Sequence, residues 1–335
     1  MVYDVHAHCI PADAIRWMER HGPEVGIEVG STDSGKDSGK IVVLDGRYRT
    51  APLRIDLTDR AARIETMDRT GVDVQILASW IDLTGYQLDR AGGICWSRAL
   101  NEAIAAEAAQ APDRLLALGS VPLQDPSVAA EELHRAMSDL GMVGVEIATT
   151  VDGQALDLAG LDEFWAAAEE LGAFVLLHPM APLPGVDLAR YFMDNIVGRP
   201  AESTVAFAGV LFSGVFERFP ALTMCVVHGG GFVPFQIGRM TQGYRQKPGL
   251  VGKHLSREPI DYLRRNVYVD TVLNEPASLR FLVDLLGAER ILVGTDYPFE
   301  MGDLDPVGFV RSAGLSEPDV EAILSGNAAR IFGTG

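Results

Sequence analysis

Cysteine is scarce in this chain of 335 residues, which contains only Cys9, Cys95 and Cys225. Three scattered thiols are too few for a disulfide framework, and a chain of this length can bury a large core without one. The N-terminal stretch also lacks a basic segment followed by a long apolar one, so we expect no signal peptide. Together these features predict a protein of the reducing cytoplasm.

Positive charge and long apolar runs are also in short supply. Lys and Arg number 28 against 46 Asp and Glu, giving a formal net charge of −18. This balance argues against a nucleic-acid or anionic-membrane partner, because both need a basic surface. The longest apolar stretch, Ala206–Phe216, falls well short of the roughly 20 residues of a membrane span. An acidic small-molecule substrate stays open, because a buried site can be locally positive.

Several catalytic motifs are absent as well. The chain has no H-E-x-x-H, no Walker A and no G-x-G-x-x-G sequence. The glycines after His228 resemble a lipase oxyanion hole, but the chain has no G-x-S-x-G sequence to accompany them. Chemistry must therefore come from other residues.

The chain does contain eight short apolar runs separated by longer segments, several with helical patterns. Most runs are continuous rather than alternating, as in strands buried on both faces of a parallel sheet. This alternation favours a (β/α)8 TIM barrel over a doubly wound sheet. The predicted strands are Val2–His8, Val72–Ser79, Leu115–Val121, Val143–Ala148, Phe174–His178, Met224–His228, Val267–Thr271 and Ile291–Asp296.

Four of the intervening segments carry helix signals. Thr58 is a candidate N-cap of the first, Asp125 is a candidate cap of the third, and Gly172 is a candidate C-terminal glycine of the fourth. The predicted helices are Asp59–Arg69, Trp96–Gln110, Pro126–Leu140 and Leu161–Leu171.

Two stretches interrupt the alternation. Residues 23–52 contain short β-like pieces, Gly26–Gly30 and Lys40–Arg49, which predict a small β insertion after the first strand of one domain spanning residues 1–335. Residues Pro179–Pro200 follow the fifth strand, on the face that carries the active site in barrels. We expect this loop to line or cover the site.

Histidine and aspartate occupy the C-terminal tips of several predicted strands. His6 and His8 point to the same side of the first strand, where two imidazoles can converge on a metal ion. His178, His228 and Asp296 end the fifth, sixth and eighth runs, and these tips open onto the same mouth of a barrel. Each residue alone could be a core histidine or a helix cap. Together they predict a metal site, because buried polar groups are costly unless paired or metal-bound.

The segments DVHAH, LLHP, VVHGGG and GTDYPF, in this order, resemble the amidohydrolase superfamily. The likeness is greatest to the branch of 2-amino-3-carboxymuconate-6-semialdehyde and resorcylate-type decarboxylases, and it continues at residues 63–77, 120–126 and 199–220. The resemblance implies a metal-dependent, non-oxidative decarboxylase of a small aromatic or muconate-semialdehyde-type acid. No organic cofactor is needed if the carbon is protonated, or hydroxide is added to it, before CO2 departs.

The resemblance also assigns the metal and the acid–base group. It implies one divalent ion, Zn2+ rather than Mn2+ as the first choice, and a catalytic role for His228 as the acid–base histidine. Asp296 is implied both as a ligand and as a catalytic residue. The implied ligands are His6, His8, His178 and Asp296.

The substrate residues follow from the same resemblance. Arg49 matches a carboxylate-binding arginine, with Arg47 as the alternative, and Phe299 matches an aromatic of the pocket wall. Arg239 matches an arginine that reaches the neighbouring site across a homodimer interface.

Some features of the chain depart from the resemblance or allow alternatives to it. The loop after His178 has Met180 and no Trp, unlike the muconate-semialdehyde enzymes, whereas His6 stands where resorcylate decarboxylases tend to have Glu. Glu146 could approach the metal site or pair with an arginine. A metal-dependent hydrolase or hydratase acting on an ester, lactone or C–C bond would use the same ligands, and a non-catalytic barrel is a third alternative.

Overall fold

The computed structural model describes residues 1–32, 39–180 and 183–333, and it shows a TIM barrel with eight parallel strands. Every predicted strand has a counterpart within its predicted range or one residue beyond it. The strands are β1 Tyr3–Cys9, β2 Val74–Ser79, β3 Leu115–Ala117, β4 Gly144–Ala148, β5 Phe174–His178, β6 Met224–Val226, β7 Val267–Asp270 and β8 Ile291–Leu292.

The barrel closes at two seams. Strands β1 to β3 form one hydrogen-bonded ladder and β4 to β8 form another, both parallel. A bridge between Gly119 and Val145 joins β3 to β4, and a bridge between Ala7 and Tyr297 joins β1 to the segment after β8. The Val5 amide donates to the Val293 carbonyl at 2.9 Å across the second seam. The predicted (β/α)8 barrel is confirmed.

Strands β3, β6 and β8 end earlier than predicted, β3 at Ala117 rather than Val121. His228 and Asp296 lie beyond the ends of β6 and β8, in left-handed backbone with φ of 56° and 55°. A residue other than glycine seldom adopts this conformation, and it stops strand pairing because the chain turns there. The turns direct both side chains into the mouth of the barrel.

The helices differ from prediction mainly where they begin. The first predicted helix begins at Arg60 and is capped by Asp59, which accepts from the Ala62 amide, so Thr58 was the wrong cap. The second begins at Arg90, six residues early, because Asp89 caps it. The predicted Asp125 cap is confirmed. The α-helices are Ala12–His21, Arg60–Thr70, Arg90–Ala108, Pro126–Ser138, Asp162–Glu170, Arg199–Phe212, Val215–Arg218, Val233–Gln246, Pro259–Asn266, Pro276–Leu286, Pro306–Ser312, Glu317–Glu321 and Asn327–Phe332.

A small antiparallel sheet follows β1. Its strands are Ile27–Thr32, Gly39–Leu44 and Tyr48–Arg49, within residues 23–52, of which residues 33–38 lie outside the described part. Ile27, Val42 and Leu44 are buried in the main core, so this sheet packs firmly on the barrel. The Tyr48 hydroxyl donates to the Asp82 carboxylate, which brings the sheet to the mouth of the barrel.

The interior of the barrel is apolar below the mouth. Val5, Ile76, Leu176, Cys225 and Leu292 fill it, and Cys9 is buried in the surrounding core, as expected for both thiols. The site at the mouth therefore lies on a dry, well-packed floor. Among the described residues, no helix combines the length and the hydropathy that a membrane-spanning segment requires.

Candidate metal centre and active site

The five predicted tip residues meet at the mouth of the barrel. β1 carries His6 and His8, His178 ends β5, and the turns after β6 and β8 carry His228 and Asp296. All but His228 are buried. The side chain of His228 is 17% exposed, so it is the member of the group that faces the open mouth.

Three ligand atoms converge closely. The Nε2 atoms of His6 and His8 are 3.2 Å apart, and they lie 3.4 Å and 3.2 Å from Oδ1 of Asp296. The ring of His178 is 4.8 Å from the ring of His8 between centroids. Ligands about 2.0 to 2.2 Å from an ion in a tetrahedral site are about 3 to 3.5 Å from one another. The three atoms therefore have the spacing of one coordination shell.

Each of three imidazoles is anchored through its Nδ1 atom. Nδ1 of His6 donates to Oδ2 of Asp270 at 2.6 Å, and Nδ1 of His8 donates to the Ser79 carbonyl at 2.9 Å. Nδ1 of His178 donates to the Pro179 carbonyl at 2.8 Å. A proton held on Nδ1 leaves the lone pair on Nε2, which is the arrangement of metal-binding histidines.

The Nε2 atom of His178 has no hydrogen-bond partner among the described residues, although it is buried. Burial and the neighbouring His8 and His6 lower the pKa of His178 well below its ordinary value, so its ring is neutral. A buried nitrogen with a free lone pair is costly unless a ligand satisfies it. This atom fits a metal cation.

The charges at the site also suit a cation. Burial alone would raise the pKa of Asp296, but His6 and the hydrogen bonds from His228 and His8 hold it well below its ordinary value. Burial lowers the pKa of His8, yet Asp296 and Glu146 outweigh this effect and raise it to about 9. An ion must displace the proton of His8, so binding releases protons and strengthens as the pH rises.

His228 differs from the other three histidines. Its Nε2 lies 3.6 Å from Oδ2 of Asp296, and its buried Nδ1 has no partner among the described residues. Distance alone would admit it as a ligand, because ligand atoms of His6, His178, His228 and Asp296 all lie within 4.8 Å of one another. The missing anchor and the open position suit a group that exchanges protons.

Two adjoining cavities form the mouth, with volumes of about 130 Å³ and 270 Å³. Phe299 lines the first, and its ring is 5.5 Å from that of His8 between centroids. A cavity of about 320 Å³ on the other side of Phe299 is lined by none of the candidate ligands, so the chemistry belongs to the two smaller ones. Both are lined by Asn195, Arg199, His228, Asp296 and Met301.

The arginines predicted to bind substrate do not line these two cavities in the described residues. Arg49 is exposed, and Arg47 pairs with Asp45 and Asp152. Arg239 is exposed on the outer helix Val233–Gln246. Arg199, to which the sequence analysis gave no role, lines both cavities.

Two buried carboxylates support the candidate ligands. Asp270, at the end of β7, was missed, although its position at a strand tip was a possible signal. Glu146 lies under His8, with its Oε1 3.6 Å from Nδ1 of His8, and it accepts a hydrogen bond from the Ser79 hydroxyl. Of the two alternatives for Glu146, the structure therefore shows the approach to the metal site and not the pairing with an arginine. Burial raises the pKa of Glu146 to about 8.

Comparisons with known proteins find decarboxylases of two kinds. A 2-amino-3-carboxymuconate-6-semialdehyde decarboxylase from Dictyostelium discoideum is 32% identical over 98% of this chain and 91% of the relative. A gamma-resorcylate decarboxylase from Rhizobium sp. is 31% identical over 83% of this chain and 88% of the relative. The predicted resemblance to these decarboxylases is confirmed.

Solved structures give the same result for the fold. A 5-carboxyvanillate decarboxylase from Sphingomonas paucimobilis has a TM-score of 0.83 at 26% identity, covering 99% of this chain and 98% of its own. A dihydroxybenzoic acid decarboxylase from Polaromonas sp. has a TM-score of 0.79 at 24% identity, covering 99% and 97%, and was solved with bound manganese and an inhibitor. The amidohydrolase family model matches residues 3–334. The chain belongs to the amidohydrolase family.

Proposed function

We propose that this chain catalyses the non-oxidative decarboxylation of a small aromatic or muconate-semialdehyde-type carboxylic acid. One observation carries the proposal: three imidazoles with anchored Nδ1 atoms and Asp296 converge beside His228, which is unanchored and faces the mouth. The relatives support it, because the two reported above are decarboxylases of such acids.

His6, His8, His178 and Asp296 would hold one divalent ion. When bound, the ion supplies positive charge that binds and polarises substrate oxygen atoms. Zn2+ is our first choice, because three imidazole nitrogens and one carboxylate suit it, although Mn2+ accepts the same donors. Asp270, Ser79 and Pro179 keep the imidazoles oriented for this ion.

His228 supplies the proton. Nε2 of His228 delivers a proton to the substrate carbon that carries the carboxylate, and a π electron pair of the substrate forms the new C–H bond. The C–C bond to the carboxylate then breaks, CO2 leaves as a neutral molecule, and the electron pair of that bond restores the π system. Solvent then reprotonates the imidazole. Phe299 lines the site beside His8, where its ring would exclude water from the reacting carbon.

The proposal is tested with a panel of acids in D2O. With 2,6-dihydroxybenzoate, 5-carboxyvanillate and 2-amino-3-carboxymuconate-6-semialdehyde, we expect CO2 release from at least one, with one deuterium on the carbon that lost it. Gas analysis and mass spectrometry of the product measure both. A product that retains its carboxylate and gains oxygen from 18O-labelled water would instead identify a hydrolase or hydratase.

A second part of the proposal concerns assembly. Val205, Phe232, Phe235 and Phe281 are exposed apolar side chains, and the rings of Phe235 and Phe281 are 6.1 Å apart between centroids. Arg239 lies on the same helix as Phe235. An exposed apolar patch of this kind is typical of a protein interface. We infer a homodimer in which Arg239 enters the partner's site and binds the substrate carboxylate together with Arg49.

Subunit mixing tests this assembly. Arg239→Ala and His228→Ala should each be inactive as homodimers, and mixing them should restore part of the activity, because one site of each hybrid has both residues. Activity is measured before and after subunit exchange, with native mass spectrometry to count hybrids. Hybrids without activity, or an active monomer, would show that Arg239 serves no neighbouring site.

A further inference from the structure

We propose that Arg199 binds a second carboxylate of the substrate, one that is retained when the other leaves as CO2. The inference rests on the proposed decarboxylase function and adds to it a binding residue for those substrates that carry two carboxylates. The juxtaposition of Arg199, His178 and His228 at the mouth carries it.

Arg199 is held at a defined place beside the candidate metal ligands. It is the first residue of the helix Arg199–Phe212, after the loop that follows β5. Its Nη1 donates to the Pro179 carbonyl at 2.8 Å, and the same carbonyl accepts from Nδ1 of His178 at 2.8 Å. One oxygen atom thus couples the position of the guanidinium to that of His178.

The Arg199 guanidinium has N–H donors that no described residue engages. Within the described residues, no carboxylate lies within the 4.0 Å ion-pair distance of Arg199, and the Pro179 carbonyl is its one hydrogen-bond partner. Asp82 lines the same cavity, but its carboxylate accepts from the Tyr48 hydroxyl. Arg54, near the rim, is already paired with Asp56 and Glu300.

Arg199 is also the one Lys or Arg among the described residues that line the two mouth cavities. A guanidinium presents several N–H donors in a planar fork that matches a carboxylate. A partly buried guanidinium that forms no ion pair within the described residues, beside His228 and Asp296, therefore offers a site for an anion of the substrate.

The group bound by Arg199 is the one that stays on the substrate. The leaving carboxylate loses its charge as CO2 forms, so an ion pair with it lasts only until the C–C bond breaks. A retained carboxylate keeps its charge throughout, and its binding positions the reacting carbon near His228 without opposing the reaction.

Ligand binding at equilibrium tests the inference without requiring turnover. Titration calorimetry compares benzoate with benzene-1,3-dicarboxylate and benzene-1,4-dicarboxylate on the metal-loaded protein. We expect at least one dicarboxylate to bind about 10- to 100-fold more tightly than benzoate, the range of a charge-assisted hydrogen-bond pair. Arg199→Gln should remove this preference while leaving benzoate affinity and metal content unchanged, and Arg199→Lys should retain part of it.

Arg264→Gln is the matched control. Arg264 is an exposed arginine that donates to the Leu285 carbonyl on the outside of the barrel, so its loss should leave the preference intact. Equal binding of mono- and dicarboxylates by the wild type, a preference that survives Arg199→Gln, or parallel loss of benzoate and metal in that variant would each overturn the inference. If the preference depends on Arg199 but no acid releases CO2, the proposed reaction fails and the carboxylate site stands.

Discussion

Replacing His178 with alanine should remove most of the bound metal and the activity together. His178 offers a neutral, buried Nε2 with no partner among the described residues, and it is the one candidate ligand that comes from the middle of the chain. Loss of a supporting residue around a metal typically costs 10- to 100-fold in metal affinity, and loss of a ligand costs at least as much. Elemental analysis should find about one divalent ion per chain in the wild type and about a tenth of that or less in the variant.

The matched control for this variant is His254→Ala, because His254 is an exposed histidine that lines neither cavity of the mouth. It should keep both metal and turnover. A His178→Ala protein with a full complement of metal would show that His178 is not a ligand. A wild-type protein that neither contains a divalent ion nor gains activity with Zn2+ or Mn2+ would show that the proposed metal centre does not exist.

Replacing His228 should have the opposite signature, a large loss of turnover with the metal retained. We expect kcat to fall about 10²- to 10⁴-fold, the usual contribution of a general acid–base group. The metal should stay, because His228 lacks the anchored Nδ1 that the other three histidines share. Steady-state kinetics and elemental analysis on the same preparation measure the two effects.

The backbone at His228 decides which variants to make. Its φ of 56° lies in the left-handed region, where asparagine is better tolerated than alanine. His228→Asn keeps this turn and removes the proton-transfer group, so it should fold as well as the wild type and lose turnover like His228→Ala. Loss of metal in both variants would make His228 a ligand, and normal turnover in His228→Asn would exclude it as the proton donor.

Much of this site could be predicted from the sequence, because its residues interrupt apolar runs. A buried strand that ends in His or Asp is visible without coordinates, and the spacing of His6 and His8 places both on one side of β1. The same reasoning gave strands β6 and β8 too many residues, because the left-handed turns at His228 and Asp296 leave no mark in hydropathy.

Other features depend on contacts between distant parts of the chain. Arg90–Ala108 was predicted too short because Gly92 and Gly93 weaken the helical pattern. A Cβ atom on Gly92 would lie 2.6 Å from the Val25 carbonyl, so close packing requires glycine there. In the sequence, nothing distinguishes Arg199 from any other first residue of a helix. Its hydrogen bond to the Pro179 carbonyl places it beside His178. Asp270 likewise becomes a residue of the site only through its hydrogen bond with His6, which is 264 residues away in the sequence.

The seam between β1 and β8 has a consequence for how the site assembles. His6 and His8 lie on the first strand of the barrel and Asp296 follows the eighth, and the Asp296 amide donates to the His6 carbonyl at 2.8 Å across the seam. The full set of proposed ligands therefore forms only when the first and last strands of the barrel have come together. An ion held there would cross-link these two strands, and opening the seam would release it.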